Sequence, residues 1–146
     1  MPGATDTDPA VALYFHVRID GVDLGEFTTC DGLSMDVVTE ERVEGGNNGY
    51  VWKLPVRITF SNVRFTRPIG PESIKVASWL AGLAKGVKRT SAEIVALTPQ
   101  GNRLVTWHLT GVIPVKWSGP SFSAESPKVA EESLEIAHNG FTLEAA

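Results

Sequence analysis

Three histidines, one cysteine, two adjacent glutamate pairs and a glycine-rich loop are the features with which this chain could do chemistry. His16, His108 and His138 fall in separate strand-like runs. None stands near a cysteine or a paired carboxylate at the spacing a metal site needs. They read as half-exposed strand histidines. In Glu40-Glu41 and Glu131-Glu132 the carboxylates are sequence neighbours. Neighbours in a strand point to opposite faces, so neither pair can act as an acid–base dyad from one side. They read as solvated positions or as ion-pair partners in an assembly. Gly45-Gly46-Asn47-Asn48-Gly49 lacks the Gly-Lys-Ser/Thr ending of a phosphate loop and opens no helix. No nucleophile-elbow motif is present. Cys30 has a nucleophile's chemistry, yet a small buried hydrophobe is the plainer role for it. The residues therefore give no catalytic, cofactor or metal site, and the expectation is a non-enzymatic domain that needs no cofactor.

The elements that carry these residues are mostly strands. The stretch from Ser34 to Phe65 holds two strand-like runs around the glycine- and asparagine-rich loop. Met35, Val37, Thr39, Glu41 and Val43 share one parity of the first run, and Ser34, Asp36, Val38, Glu40 and Arg42 share the other. In the second run Leu54, Val56, Ile58 and Phe60 alternate with Pro55, Arg57, Thr59 and Ser61. Each run thus offers an apolar and a polar face. Val63 and Phe65 continue on the opposite parity, which predicts a bulge near Ser61-Asn62.

Around this hairpin the rest is read in order. Residues 1–11, rich in Asp, Thr and Pro, form a flexible arm, and 12–146 form one β domain. Leu13, Phe15, Val17 and Ile19 alternate with polar residues as a half-buried strand. Asp20-Gly21 turns the chain, and a second strand runs from about Leu24 to Cys30. One helix is predicted from about Glu72 to Lys85, with Val76, Trp79, Leu80 and Leu83 as its apolar stripe. Strand patterns follow from Ser91 to Thr98 and from Arg103 to Trp117. In the latter, Val105, Trp107, Leu109, Ile113, Val115 and Trp117 share one parity, and Gly111 and Pro114 mark a bend or an edge. Ser118 to Pro127 is a loop around Phe122. Lys128 to His138 fits strand and helix alike by pattern, with propensity favouring helix.

Size and charge bound the rest. At 146 residues the chain suits a single domain with a core of its own. A net charge of −4 gives no basic surface for nucleic acid. One cysteine excludes an internal disulfide and fits a reducing compartment. Met1 to Pro9 lack the basic start and apolar core of a secretory signal, and no apolar run reaches the ~18–20 residues of a membrane span.

Several segments in order resemble a known family. They are YFHVRIDGVDLGEFTTCDGLSMDVVTEERVEGGNNGYVWKLP, then LPVRITFSNVRFTRPIG, the helix containing VASWL, and the closing SLEIAHNGFTL. Together, from Tyr14 to Leu143, they resemble the inner-tube proteins of contractile injection systems, which share ancestry with the tail-tube proteins of contractile phages. The resemblance favours a strand for the last ambiguous run. It implies a mainly β fold of two packed antiparallel sheets, a β-sandwich or barrel, with one flanking α-helix. It further implies hexameric rings whose strands join into a continuous lumen-lining barrel, stacked inside a contractile sheath.

On that footing the polar parity of the hairpin supplies the lumen-facing candidates: Ser34, Asp36, Glu40, Arg42, Arg57, Thr59 and Ser61. Glu44, Gly45, Gly46, Asn47, Asn48, Gly49, Tyr50 and Trp52 form the expected contact with a neighbouring ring, because glycines permit close approach and aromatics anchor interfaces. The helix lies on the outer wall, with Lys75, Trp79 and Lys85 on it and Lys88 and Arg89 just beyond. Implied partners are other copies of the chain, a sheath protein, baseplate, spike and cap proteins, and effector cargo. No specific nucleic-acid binding and no membrane insertion by its own sequence are expected. Synthesis and assembly are expected in the cytoplasm, within a phage-tail-like particle that is then free, released or membrane-docked. Two other readings remain at this point: a phage tail tube that conducts DNA, and, in a different class, a monomeric small-ligand-binding β-barrel.

Overall fold

The computed structural model describes residues 12–42, 51–119 and 130–145. The expected N-terminal arm and most of the 118–127 loop lie outside them. Two antiparallel layers enclose one core, and a two-stranded arm stands apart from both.

The first layer begins with β1 (Tyr14–Ile19) and β2 (Val22–Phe27), joined through Asp20-Gly21. Val17 and Ile19 are fully buried, as the alternation of this run requires. β1 also pairs with β7 (Thr90–Leu97), which pairs with β8 (Arg103–Ser118). The second layer contains β3 (Thr29–Asp31), β6 (Val63–Pro68) and β9 (Glu131–Ala137). The predicted single strand from Leu24 to Cys30 is therefore two. At Thr28 the chain leaves the edge of one layer for the other, and its amide and hydroxyl both donate to the Thr66 carbonyl, at 2.9 and 3.0 Å.

β8 belongs to both layers. Its first half pairs with β7 and with β10 (Gly140–Ala145), and its second half pairs with β9. The crossing is made at Gly111, whose φ of 63° is open mainly to glycine. A Cβ there would meet the Asn139 amide at 2.3 Å. The bend that Gly111 and Pro114 announce is present, but the single parity expected along this strand is not. Leu109 and Val112, three residues apart, are both core residues because the extra residue at the bend reverses the faces.

The ambiguous run near the C-terminus is strand β9, with Leu134 and Ile136 in the core. Pairing with β6 and β8 on either side overrides its helical propensity. Helix α1 (Ser73–Gly82) continues into a 3-10 turn at Leu83–Lys85, close to the predicted span. Val76 and Trp79 are buried, and Leu80 and Leu83 pack against the core, so the helix closes one side of the sandwich. Phe27 and Phe65, with ring centroids 5.3 Å apart, meet between the layers.

One polar cluster sits inside this packing. Arg67 on β6 and Glu132 on β9 are 4% and 1% exposed, and their Nε and Oε2 atoms lie 3.5 Å apart. Arg67 also donates to the carbonyls of Leu24 at 2.6 Å and Glu72 at 2.9 Å, and its guanidinium lies over the Phe27 ring. Glu132 accepts from Ser73 Oγ and from Trp117 Nε1. Sequence reasoning placed Glu132 in solvent or between subunits. The structure corrects this: Glu131 is exposed, and Glu132 finds its cation within its own chain. Strand alternation turns one of the two inward, and a charge at that position needs a partner.

Candidate assembly interface

The arm is the hairpin of β4 (Met35–Arg42) and β5 (Trp52–Phe60). Among the described residues these strands pair in a sheet only with each other. Both faces of the arm meet solvent along most of its length. A two-stranded hairpin in water is marginal alone.

Its root is defined by backbone and aromatic contacts. Gly32, at φ 97°, lies so close to the other leg that a Cβ would meet the Asn62 carbonyl oxygen at 2.0 Å. Ser34 and Ser61 hydroxyls bridge the two legs at 3.1 Å. Phe60 packs with its centroid 5.5 Å from both His138 and Phe141. The Gly140 amide donates to His138 Nδ1, which leaves Nε2–H to donate to the Ser61 carbonyl at 3.0 Å. His138 is therefore buried and fixes the point where the arm meets the body, where a half-exposed histidine was expected. The phase change that predicted a bulge near Ser61-Asn62 is a break. β5 ends at Phe60 and β6 begins at Val63 in a different sheet.

The bulge lies inside the arm. Val38 pairs with Arg57 and Thr39 with Pro55, which leaves Val56 as the extra residue. Pro55 has no amide to donate, so the ladder is weakest there. The register then defines two faces, because directly opposed residues point the same way. One face carries Met35 with Phe60 and Val37 with Ile58. The other carries Asp36 with Thr59 and Val38 with Arg57, then Glu40 with Leu54 and Arg42 with Trp52. The bulge thus moves Leu54 from the expected apolar face to the polar one.

All seven lumen candidates fall on the polar side: Asp36, Glu40, Arg42, Arg57 and Thr59 by register, and Ser34 and Ser61 as the hydroxyl pair at the root. Val38 shares that face as its parity requires, and Leu54 and Trp52 were not foreseen there, since only the bulge places them on it. The charges on it balance, Asp36 and Glu40 against Arg42 and Arg57. The opposite face is apolar in the half next to the root and is left uncovered by the described residues; beyond the bulge it carries Thr39 with Pro55 and Glu41 with Lys53. Met35, Val37 and Ile58 are 52%, 48% and 54% exposed, and Val56 at the bulge is 54% exposed. Covering such half-exposed side chains yields roughly 1 kcal/mol each.

The expected inter-ring loop lies outside the described residues from Glu44 to Tyr50; of that set only Trp52 is placed, 44% exposed on β5. On the helix, Trp79 faces the core. Lys75 is exposed and pairs with Glu72 Oε2 at 2.8 Å, a hydrogen bond that raises the ammonium pKa. Lys85 and Lys88 are exposed, and Arg89 donates to the Gly111 carbonyl. His16 pairs with Asp23, and His108 with Glu144, each at 2.8 Å. Among the described residues no cluster of metal-ligating side chains occurs. Cys30 packs against the core, and burial, with Asp31 beside it, pushes its thiol up to about 12, far from a reactive thiolate. No helix of the described residues is long and apolar enough to cross a membrane.

Comparison with known proteins follows the same lines. The sequence model of a family described as T4-like virus tail tube protein gp19 matches residues 11–142. No curated protein matches the sequence. Among solved structures, a chain of the extracellular contractile injection system PVC sheath-tube complex in the extended state has a TM-score of 0.75 at 20% identity, covering 98% of this chain and 100% of that one. A chain of the anti-feeding prophage cap has a TM-score of 0.75 at 21% identity, covering 94% and 91%. Hcp1 from Salmonella typhimurium has a TM-score of 0.58 at 17% identity, covering 92% and 87%. At these identities the likeness is one of fold.

Proposed function

Because this chain belongs to the T4-like virus tail tube protein gp19 family, we propose that it is the subunit of the hollow inner tube of a phage-tail-like contractile injection system. Six copies form a ring, the rings stack inside a contractile sheath, and the tube carries cargo to a target. The observation that carries this reading is the arm, a hairpin with one mainly polar face and one face that is apolar next to its root, both largely exposed among the described residues. In a ring, the polar face with Asp36, Glu40, Arg42, Arg57 and Thr59 lines the bore. The apolar face lies against protein. Sharing strands among copies also removes free edges that would otherwise invite aggregation.

The role is mechanical, with no reaction catalysed. The helix side, with Lys75, Lys85 and Lys88, is the face offered to the sheath. The segment around Glu44 to Trp52 is the face offered to the next ring. Baseplate and cap proteins bound the ends of the tube. The particle assembles in the cytoplasm. A bore with balanced charge neither grips nor repels a protein of either sign. The family's own description as a viral tail tube supports a second reading, a phage tail that conducts DNA. A monomeric ligand-binding barrel would keep a cavity where Phe27, Phe65, Leu109 and Leu134 pack together.

Electron microscopy of the chain produced with its neighbouring sheath gene tests the proposal. Six-fold rings stacked into an open tube are expected. A particle in which the chain stays monomeric, or forms a layer without an axial bore, would overturn it.

A further inference from the structure

Two apolar surfaces left exposed among the described residues are not copies of each other. One is the arm, with Val37 and Ile58 in opposed positions. The other is β10, where Phe141 is opposite the buried Leu109 and Leu143 is opposite Trp107. Those pairs put Phe141 and Leu143 on the core side of the first layer. Sheet cover runs out there, and Leu143 is 58% exposed. Among the described residues β10 pairs with β8 alone, so its other edge is open, as are the outer edges of the arm.

We infer that the arm of one copy lies along β10 of the next, so that Val37 and Ile58 cover Leu143. The inference rests on the tube reading and names the contact that closes the ring. The chain already makes this kind of contact once within itself. Phe60, on the apolar side of the arm, packs on Phe141 at the start of β10. The next apolar residue on each, Ile58 and Leu143, is 54% and 58% exposed. The apolar row of the arm is thus the outward continuation of the protomer's own core. A second copy supplies the matching surface in the right phase. On β10, Phe141 and Leu143 face one way and Thr142 and Glu144 the other. On the arm, Val37 and Ile58 face one way and Asp36 and Thr59 the other. Strands joined in this phase keep one apolar and one polar surface through the junction. Because the two surfaces differ, the contact is head-to-tail, and such contacts close into a ring when the rotation between copies closes.

The test mixes two singly substituted chains, so that any link must join different copies. Ile58→Cys chains are assembled with Leu143→Cys chains, both carrying Cys30→Ala, and treated with a short bifunctional thiol reagent. A linked dimer is expected. Thr59→Cys, on the opposite face, should give only background linking with Leu143→Cys. Should Ile58→Cys chains not assemble, Val37→Cys on the same face takes their place. Intact rings by electron microscopy without the Ile58–Leu143 link would overturn this contact and leave the tube reading standing. No rings from the unsubstituted chain with its sheath would overturn the tube reading, and this contact with it.

Discussion

Buried charge is the costliest choice this sequence makes, and Arg67–Glu132 is where it makes it. The guanidinium serves three elements at once, donating to carbonyls of β2 and of the α1 entry while facing a carboxylate on β9. Such a pair adds little net stability over apolar packing, but losing one member leaves the other charge uncompensated. Glu132→Ala should therefore destabilise the isolated protomer by about 3–5 kcal/mol. Chemical denaturation followed by tryptophan fluorescence would measure it. A loss smaller than that of an ordinary surface substitution would mean that Arg67 is neutralised by the carbonyls alone. Neither residue's role was legible beforehand. Arg67 and Glu132 are 65 apart in sequence, and nothing local says that their strands are neighbours. Cys30 was legible, because no group that would activate a thiol stands near it in the sequence, and it packs against the core.

At the level of elements, what could be read depended on whether one strand face stays in one environment. β1 and α1 do, and their apolar residues Val17, Ile19, Val76 and Trp79 are core residues as the periodicity requires. β8 does not. It starts in one layer and ends in the other, and its parity is broken at Gly111. The same holds for the chain around Thr28 and Ser61-Asn62, where apparent single strands change sheets. In the arm, a proline-linked bulge at Val56 reshuffled the faces of β5. Patterns report faces, and a change of sheet looks like noise in a face pattern. Gly111 carries the most weight of these points. Gly111→Ala would force a Cβ into the Asn139 side chain at a positive φ. The expected cost is about 1–3 kcal/mol, read as a lowered melting temperature with the strand content retained on circular dichroism. An unchanged melting temperature would show that Asn139 swings away and that the bend tolerates a side chain.

For the whole molecule, the division between a closed core and an open arm makes stability uneven. Phe27, Phe65, Ile94, Leu109 and Leu134 are sealed from water, while residues 35–42 and 52–60 have hydrogen bonds exposed on both faces. Local opening of the arm need not disturb the sandwich, so in a free protomer its amides should exchange with solvent far faster than those of β1 and β7. Assembly changes this if copies complete each other. Burying Met35, Val37 and Ile58 at roughly 1 kcal/mol each would slow arm exchange by about a hundredfold or more per ring contact. Hydrogen–deuterium exchange on free and assembled protein separates the two states. Slowing confined to the arm and β10, with β1 and β7 unchanged, is the expected result. Arm amides that exchange equally fast in both states would mean that the hairpin stays wet on both sides in the particle. Its apolar face would then have no partner, and the reason for this chain to assemble through it would be gone.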